Sequence, residues 1–405
     1  MSRSEDLRIR DVLRIPEVRA AMLGTFVIML GYGILSPVLP SYAKTFGVGY
    51  DSIGLLISAF SFARLVADPF VGRYIDNYGE RRMVMLGAVI VGVSSVASGL
   101  APTFALLVVL RGVGGVGSAL FFAALLSFLL RTIPAERTGR VMSVFYAAFN
   151  LGFIAGGPLG GVIANTFGLA SPLHIYGGAC FVAAVLFWRT IYDPERHESE
   201  VRAGGLRRLP WGRPFVTVLV VNLAYLWMIG AVFQTLIPLF GPDEVGLTLG
   251  GVGLGLAVAT ATELVSLYPA GSATDHRGRR AVLIPSLAGL GAVVAILGFA
   301  STPVAFMVAM AALGVASGFS GVPPAPMLSD LTPEELKGSG VAVFRFAGDL
   351  GFVLGPLVAG AAANAVGFTG AFAISAAPAF VALALVLSIA ETKPSLPKTG
   401  EAPGF

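Results

Sequence analysis

GRYIDNYGERR (Gly72–Arg82) and GSATDHRGRR (Gly271–Arg280) are two versions of one short polar stretch, set 199 residues apart. Gly72, Asp76 and Gly79 have their counterparts in Gly271, Asp275 and Gly278 at that one offset. The same offset carries Pro134 onto Pro333, Val144-Phe145 onto Val343-Phe344, and Asn150-Leu-Gly-Phe onto Asp349-Leu-Gly-Phe. Equal spacing held across several hydrophobic runs and their loops means a duplicated unit in the same orientation. Parallel repeats of this kind place a binding site at their interface near the membrane midplane and suit alternating access by rocking.

Composition fixes the solvent. Of the 405 residues 56% are hydrophobic and 12% charged, against roughly 25% charged in a soluble protein. The mean hydropathy is +0.83, with 52 Gly and 25 Pro, as expected where small residues let helices approach in lipid. A water-soluble enzyme is not expected from this composition. A single cysteine, Cys180, rules out an intramolecular disulfide, and His174, His197 and His276 are scattered without metal-ligand spacing. His174 reads as an interfacial residue near the loop between the fifth and sixth runs.

Twelve runs are long and apolar enough to cross a bilayer core of about 30 Å. They cover 20–43, 51–72, 83–101, 104–130, 140–167, 170–192, 214–240, 247–270, 281–300, 303–328, 340–366 and 369–390. None alternates as a membrane β-strand would, and the first is too long for the apolar part of a signal peptide. The expected class is therefore an all-α polytopic membrane protein of twelve helices. Of the 27 Lys and Arg, 23 fall before the first run, in alternate loops or at the run ends beside them (Arg140 and Arg189), Arg64, Arg111 and Arg345 fall deep inside runs, and Lys44 alone lies on the other side. That bias predicts a multi-pass protein of the cell membrane with both termini in the cytoplasm. The expected units are residues 1–192, a polar basic cytoplasmic linker 193–213, residues 214–391 and a cytoplasmic tail 392–405.

The paired loop motif resembles the G-x-x-x-D-x-x-G-x-R signature of the major facilitator superfamily, and the likeness extends over nearly the whole chain. It implies two pseudo-symmetric six-helix bundles. It also implies a cytoplasmic latch between them at Gly72, Asp76, Gly79 and Arg81, with a twin at Gly271, Asp275, Gly278, Arg279 and Arg280. Asn77 and Glu80 stand where the family commonly has basic residues. The stretch Gly152–Gly161 in the fifth run, with Gly157, Pro158 and Gly161, is similar to the family's antiporter motif, whose Gly-Pro kinks a helix at the interface of the halves; Gly355-Pro356 repeats it in the eleventh. Arg111-Gly-Val-Gly in the fourth run resembles the embedded-arginine motif linked to proton coupling, with Gly114 for the usual Gln and Met310 as the repeat counterpart. Leu30-Gly-Tyr-Gly33 with Pro37 and Pro40 resembles twelve-span drug:proton antiporters.

Charges inside a bilayer are functional suspects by default. Arg64, Asp68, Arg111, Glu263, Arg345 and Asp349 are the candidates for proton coupling. Arg64 precedes Asp76 by twelve residues, about 18 Å along a helix, and Glu263 stands equally far from Asp275. Arg64/Asp68 and Arg345/Asp349 have i,i+4 spacing. Either each pair neutralises itself, or all four form one cluster where the second and eleventh spans meet. Glu263 has no basic residue one turn away, at Ala259 or Leu267. Glu263 and Asp349 lead as proton carriers, followed by Asp68, with Arg111 tuning one of them or meeting an anionic substrate.

By the same resemblance, the first, fourth, seventh and tenth spans line a cavity. Phe26, Tyr32, Tyr146, Asn150, Asn222, Tyr225, Gln234, Phe319 and Phe344 are candidate lining residues, an aromatic set suited to a lipophilic or amphipathic molecule. No phosphate-binding GxxxxGK[ST] is present, so direct drive by ATP is not expected; the resemblance implies a proton gradient as the drive, with no cofactor. The expected partners are a small-molecule substrate, protons and the lipid bilayer, with no nucleic acid, and the chain is expected to act as a monomer. The expected function is proton-coupled export of small lipophilic molecules by alternating access. The alternatives are a proton symporter importing a small metabolite, or a non-transporting membrane receptor or scaffold.

Overall fold

The computed structural model describes residues 16–132, 135–193 and 206–392, and the regular structure among them is all helical. Pro134 of the repeat, most of the 193–213 connection and most of the segment from 392 lie outside the described residues.

Eleven described segments are long and apolar enough to cross a membrane. The last contains two crossings. Its helix Lys337–Leu387 has 51 residues, far too long for one pass at 1.5 Å per residue. It breaks at Gly367, whose φ of 72° and ψ of 177° are non-helical and open only to a residue without a Cβ. The expected runs 340–366 and 369–390 flank that residue, so the chain crosses twelve times.

Spans 2 to 6 are Tyr50–Tyr78, Glu80–Gly99, Phe104–Thr132, Ala135–Phe167 and Ser171–Thr190. Spans 8 and 9 are Leu249–Arg277 and Arg279–Leu297. Three spans are interrupted, each near proline. Span 1 stops as a helix at Leu35, turns over 36–38 and resumes as Leu39–Lys44, because Pro37 has no N–H and clashes with the preceding turn. Span 7 begins as Arg213–Met228, widens into a π-helix over Ile229–Leu236 and ends as Ile237–Asp243. The Thr235 hydroxyl donates to Gly230 O, five residues back, at 2.9 Å, and Pro238 lies two residues past the widened turn. Span 10 is Pro303–Gly321 followed by Pro324–Leu331, whereas its counterpart, span 4, runs unbroken.

The two halves repeat their packing. Span 1 packs on spans 5 and 6, span 2 on span 4, and span 3 on spans 4 and 6; in the second half span 7 packs on span 11, span 8 on span 10, and span 9 on spans 10 and 12. Small residues allow the close approaches. A Cβ on Gly115 would sit 2.0 Å from Phe60 O, and one on Gly314 would sit 2.0 Å from Ala259 O, which is the same contact displaced by the repeat. Mid-helix Val93, Val182 and Val308 face outward, where a bilayer is their natural solvent.

The paired loop motifs turn at Gly79 (φ 88°) and Gly278 (φ 100°). Helix starts leave backbone N–H groups unpaired, and carboxylates from the far ends of spans 6 and 12 supply the acceptors. Asp193 accepts from Arg81 N at 3.0 Å, and Glu391 accepts from Arg279 N and Arg280 N at 2.9 and 3.0 Å. The Arg81 and Arg280 side chains donate in return to Trp188 O and Leu387 O at 2.6 and 3.1 Å. These caps were not expected from the motifs themselves.

Glu80, one of the two departures from the family pattern, is 1% exposed. It accepts from Arg131 Nη1 at 3.0 Å and from Ser127 Oγ at 3.1 Å. Its repeat counterpart is Arg279, and that of Arg131 is Asp330; these two pair at 2.9 Å. The two bundles thus carry one ion pair with its signs reversed. Glu80→Gln is expected to cost about 2 kcal/mol, below the ~3–5 kcal/mol of a fully buried pair because Arg131 reaches water. The swap Glu80→Arg with Arg131→Glu, which copies the sister bundle, should recover most of it. Thermal unfolding of the purified variants checks both, and a swap no better than the single change would refute the equivalence.

Candidate functional site

The halves touch along two seams, span 2 against span 11 and span 5 against span 8. A Cβ on Gly253 would fall 1.9 Å from Gly157 O, and one on Gly161 would fall 1.8 Å from Gly250 N. On the other seam a Cβ on Gly54 would fall 2.2 Å from Pro356 O, and Ser58 Oγ donates to Val353 O at 2.7 Å. The two Gly-Pro elements therefore sit where the halves meet, apart from Gly355, which faces span 7 at Trp227 O, 2.8 Å from its notional Cβ.

Lys44 Nζ pairs with Asp243, which also accepts from Tyr50 OH at 2.8 Å, and the ammonium lies 5.0 Å from the Tyr50 ring centre. Lys44 and Asp243 are themselves 199 residues apart. A residue can touch its own repeat counterpart only beside the axis relating the two halves, so this pair pins that axis. All these contacts lie in the parts of the spans remote from the basic loops. Toward the basic loops Tyr74, Tyr78, Tyr146 and Phe346 are exposed. The bundles are thus held together at the Lys44 face, while aromatic side chains are exposed toward the basic face.

Reversing Asp243 to Lys sets two ammonium groups against each other on the axis. This is expected to loosen the closed face and cut transport about tenfold, with substantial recovery when Lys44→Asp is added, since opposite charges again meet. Flux through the single and double variants measures it, and no recovery in the double variant would count against the pin.

At the closed end of the cleft lies a cavity of about 10 Å³, room for about one water. Arg111, Tyr32, Ser36, Phe60, Ser61 and Gln234 are among its walls. Gln234 comes from the π segment of span 7, and its Oε1 lies 3.5 Å from Ser36 Oγ, where span 1 breaks. Two helix irregularities thus meet over the cavity, in keeping with the tendency of π segments to occur at functional sites. Arg111 is 3% exposed. Its guanidinium carbon lies 4.6 Å from the Phe60 ring centre, a contact worth about 2 kcal/mol when desolvated. Its Nε has no hydrogen-bond partner.

Asp68 lies in electrostatic reach of Arg64 on its own helix and of Asp349 and Arg345 across the seam. No ion pair within 4.0 Å joins Arg64 to Asp68 or Arg345 to Asp349. Arg64 is directed instead over the Phe122 ring of span 4, 6.0 Å from its centre. Glu263 stands apart from these four. It accepts from Tyr225 OH of span 7 at 2.6 Å, with Ser317 of span 10 beside it. The six intramembrane charges therefore form three groups: one on the 2/11 seam, Arg111 in the cavity, and Glu263 in the second bundle.

Among the expected lining residues, Tyr32 and Gln234 border the closed cavity. Tyr225 is the partner of Glu263. Asn222 is buried and donates to Phe344 O at 2.7 Å, so it ties span 7 to span 11 rather than lining a path. Asn150 donates to Tyr146 O of its own helix at 2.8 Å, with Tyr146 exposed toward the basic face. Phe26 and Phe319 are partly buried, Phe26 with its carbonyl close to Gly152 on span 5.

The latch residues are engaged within their own bundles. Asp76 is exposed, its Oδ1 3.4 Å from Arg131 Nη2, and Arg81 holds Asp193 and Trp188. Arg279 holds Asp330. These partners of Asp76, Arg81 and Arg279 all belong to their own bundle. Gly72 and Gly271 have open space where a Cβ would be.

The family model described as Major Facilitator Superfamily matches residues 21–262 and, in a second stretch, 242–404. The chain belongs to the major facilitator superfamily. It is a multi-pass membrane transporter, not an enzyme. It is 27% identical over 252 residues to multidrug resistance protein 2 of Bacillus subtilis, covering 60% of this chain and 62% of that one. It is 25% identical over 362 residues to an uncharacterized MFS-type transporter of Methanocaldococcus jannaschii, covering 87% and 92%. It is 26% identical over 224 residues to the quinolone resistance protein NorA of Staphylococcus aureus, covering 54% and 57%. The nucleoside transporter NupG superposes with a TM-score of 0.80 at 12% identity, over 92% of this chain and 99% of that one. A bacterial homolog of the human lysosomal transporter Spinster, in an inward-facing unoccupied conformation, does so with 0.75 at 14%, over 92% and 94%. At such identities these superpositions establish the superfamily fold alone.

Sequence reasoning missed Asp193 and Glu391 as caps, the Glu80–Arg131 pair, Ser36 and Phe60 in the cavity wall, and the Lys44–Asp243 pin. The repeat offset held the signal for two of these. Applied to every charged residue, it pairs Lys44 with Asp243, and Glu80 and Arg131 with Arg279 and Asp330.

Proposed function

We propose that this transporter exports small lipophilic organic molecules in exchange for protons by alternating access of its two bundles. The observation that carries the reading is Glu263, a protonatable side chain inside the second bundle, hydrogen-bonded at 2.6 Å to the phenol of Tyr225. A carboxylate there can take up a proton from one side and release it to the other as the cleft reverses. The names of two relatives, a multidrug resistance protein and a quinolone resistance protein, support drug-like molecules as the cargo. The excess of basic loops supports cytoplasmic placement of the basic face and of both termini in a cell membrane. In that placement cargo enters the cleft from the cytoplasm. Glu263 and Asp349 are the proposed proton carriers, with Asp68, Arg64 and Arg345 shifting the balance between states at the 2/11 seam. The working unit is a monomer with no cofactor, driven by the proton gradient.

The test is flux in proteoliposomes of known orientation. A lipophilic dye should move against the direction of an imposed proton gradient, and the gradient should dissipate as the dye moves. Co-movement of solute and protons would replace export by symport. No flux of dye or solute would favour a receptor or scaffold.

A further inference from the structure

We infer that the closed end of the cleft is an anion subsite, in which Arg111 receives a singly charged oxyanion, a carboxylate or sulfonate, of the transported molecule. Arg111 is nine-tenths buried and more, and among the described residues no carboxylate lies within 4.0 Å and no acceptor is hydrogen-bonded to it. A guanidinium keeps its charge in any protein setting, and burial without a counter-ion is costly. The π face of Phe60 offsets only part of that cost.

The surroundings suit an anion. The walls of the cavity hold one cation and no acidic residue. Tyr32 OH and Ser61 Oγ, the latter without a partner, are available to donate. The Gln234 carbonyl oxygen is turned to Ser36 and its amide side chain interacts with the Tyr32 hydroxyl, so both polar groups face the cavity and can regroup as donors to an anion. The repeat counterpart of Arg111 is Met310, so the charge is not a scaffold feature of both bundles. The cavity has room for about one water, so an amphiphile's acidic group must widen it to reach the guanidinium, and its apolar body then lies among aromatic residues such as Tyr32, Phe60 and Phe352.

The inference uses the export reading only in taking the cleft as the cargo path, and binding tests it without transport. Purified full-length protein in detergent is titrated with three fluorescent amphiphiles of one skeleton: pyrenebutanoate, its methyl ester and a pyrenebutyl trimethylammonium salt. Wild type should prefer the carboxylate over the ester by about tenfold to a hundredfold, the range for charge-assisted hydrogen bonds in a desolvated site. Arg111→Gln should erase the preference while binding the ester as before, and Arg111→Lys should keep part of it. Gln234→Leu, which leaves the charge in place, should reduce the preference several-fold and serves if Arg111 variants fold poorly. No preference in wild type, or a preference surviving Arg111→Gln, overturns the assignment. Repeating the titrations with sodium chloride replaced by sucrose separates a free halide from the cargo's own group; chloride binding without organic-anion preference also overturns it. If the carboxylate preference holds but no probe is exchanged for protons in proteoliposomes, the export reading falls and the subsite stands.

Discussion

Glu263→Gln is expected to abolish proton-driven transport while leaving the protein folded. Glutamine matches glutamate in shape, and its carbonyl can still accept from Tyr225 OH, now 2.6 Å from Oε1. Only the proton site is lost. Its repeat counterpart is Arg64, so the first bundle has no equivalent acid to take over. A positioned proton carrier contributes on the order of 100-fold or more, and driven accumulation should fall by at least that. Exchange of cargo down its own gradient needs no net proton movement and should continue. Tyr225→Phe removes one hydrogen bond but keeps the carboxyl, so its effect should be several-fold. Driven accumulation of dye by Glu263→Gln at the wild-type rate would remove Glu263 from the mechanism and leave Asp349 as the next group to test.

The second large effect is expected at the 5/8 seam. Backbone atoms of Gly157 and Gly253 approach so closely that any side chain at 253 collides, its Cβ 1.9 Å from Gly157 O. Gly253→Val should hold the two bundles apart at the Lys44 face. Overpacking costs about 1–3 kcal/mol, and 2 kcal/mol shifts a two-state equilibrium by about 30-fold. The strain exists only while that face is closed, so it favours the reversed conformation. A cysteine at Ser36, in a background with buried Cys180 replaced by alanine, reports this from the Lys44 side. Labelling by an impermeant maleimide should rise more than tenfold, and transport should fall with it. Unchanged labelling would mean that the seam yields elsewhere.

Hydrophobic length, the excess of basic residues in alternate loops and the 199-residue repeat are properties of the chain read in order. They sufficed for twelve crossings in two similar halves, because a bilayer imposes a length on each helix and a duplicated unit repeats its spacing. The break at Gly367 falls between the two runs 340–366 and 369–390 read from hydrophobic length. The intramembrane charges were equally legible as a set, because each is costly wherever it sits.

Their partners were not. Glu263 meets a phenol from span 7 rather than a base on its own helix. Arg64 lies over the Phe122 ring without an ion pair to Asp68, and Arg111 meets Phe60 and a small closed cavity. Which side chains converge depends on how helices distant in sequence are rotated and staggered, and on where proline and π segments bend them. None of this is encoded in spacing along one helix. The amino-acid sequence alone determined a twelve-span transporter built from a repeated unit. Only the packing of one bundle on the other decided which end of the cleft is closed, that Lys44 meets its own counterpart on the axis, and that an arginine stands buried beside Gln234 without a carboxylate.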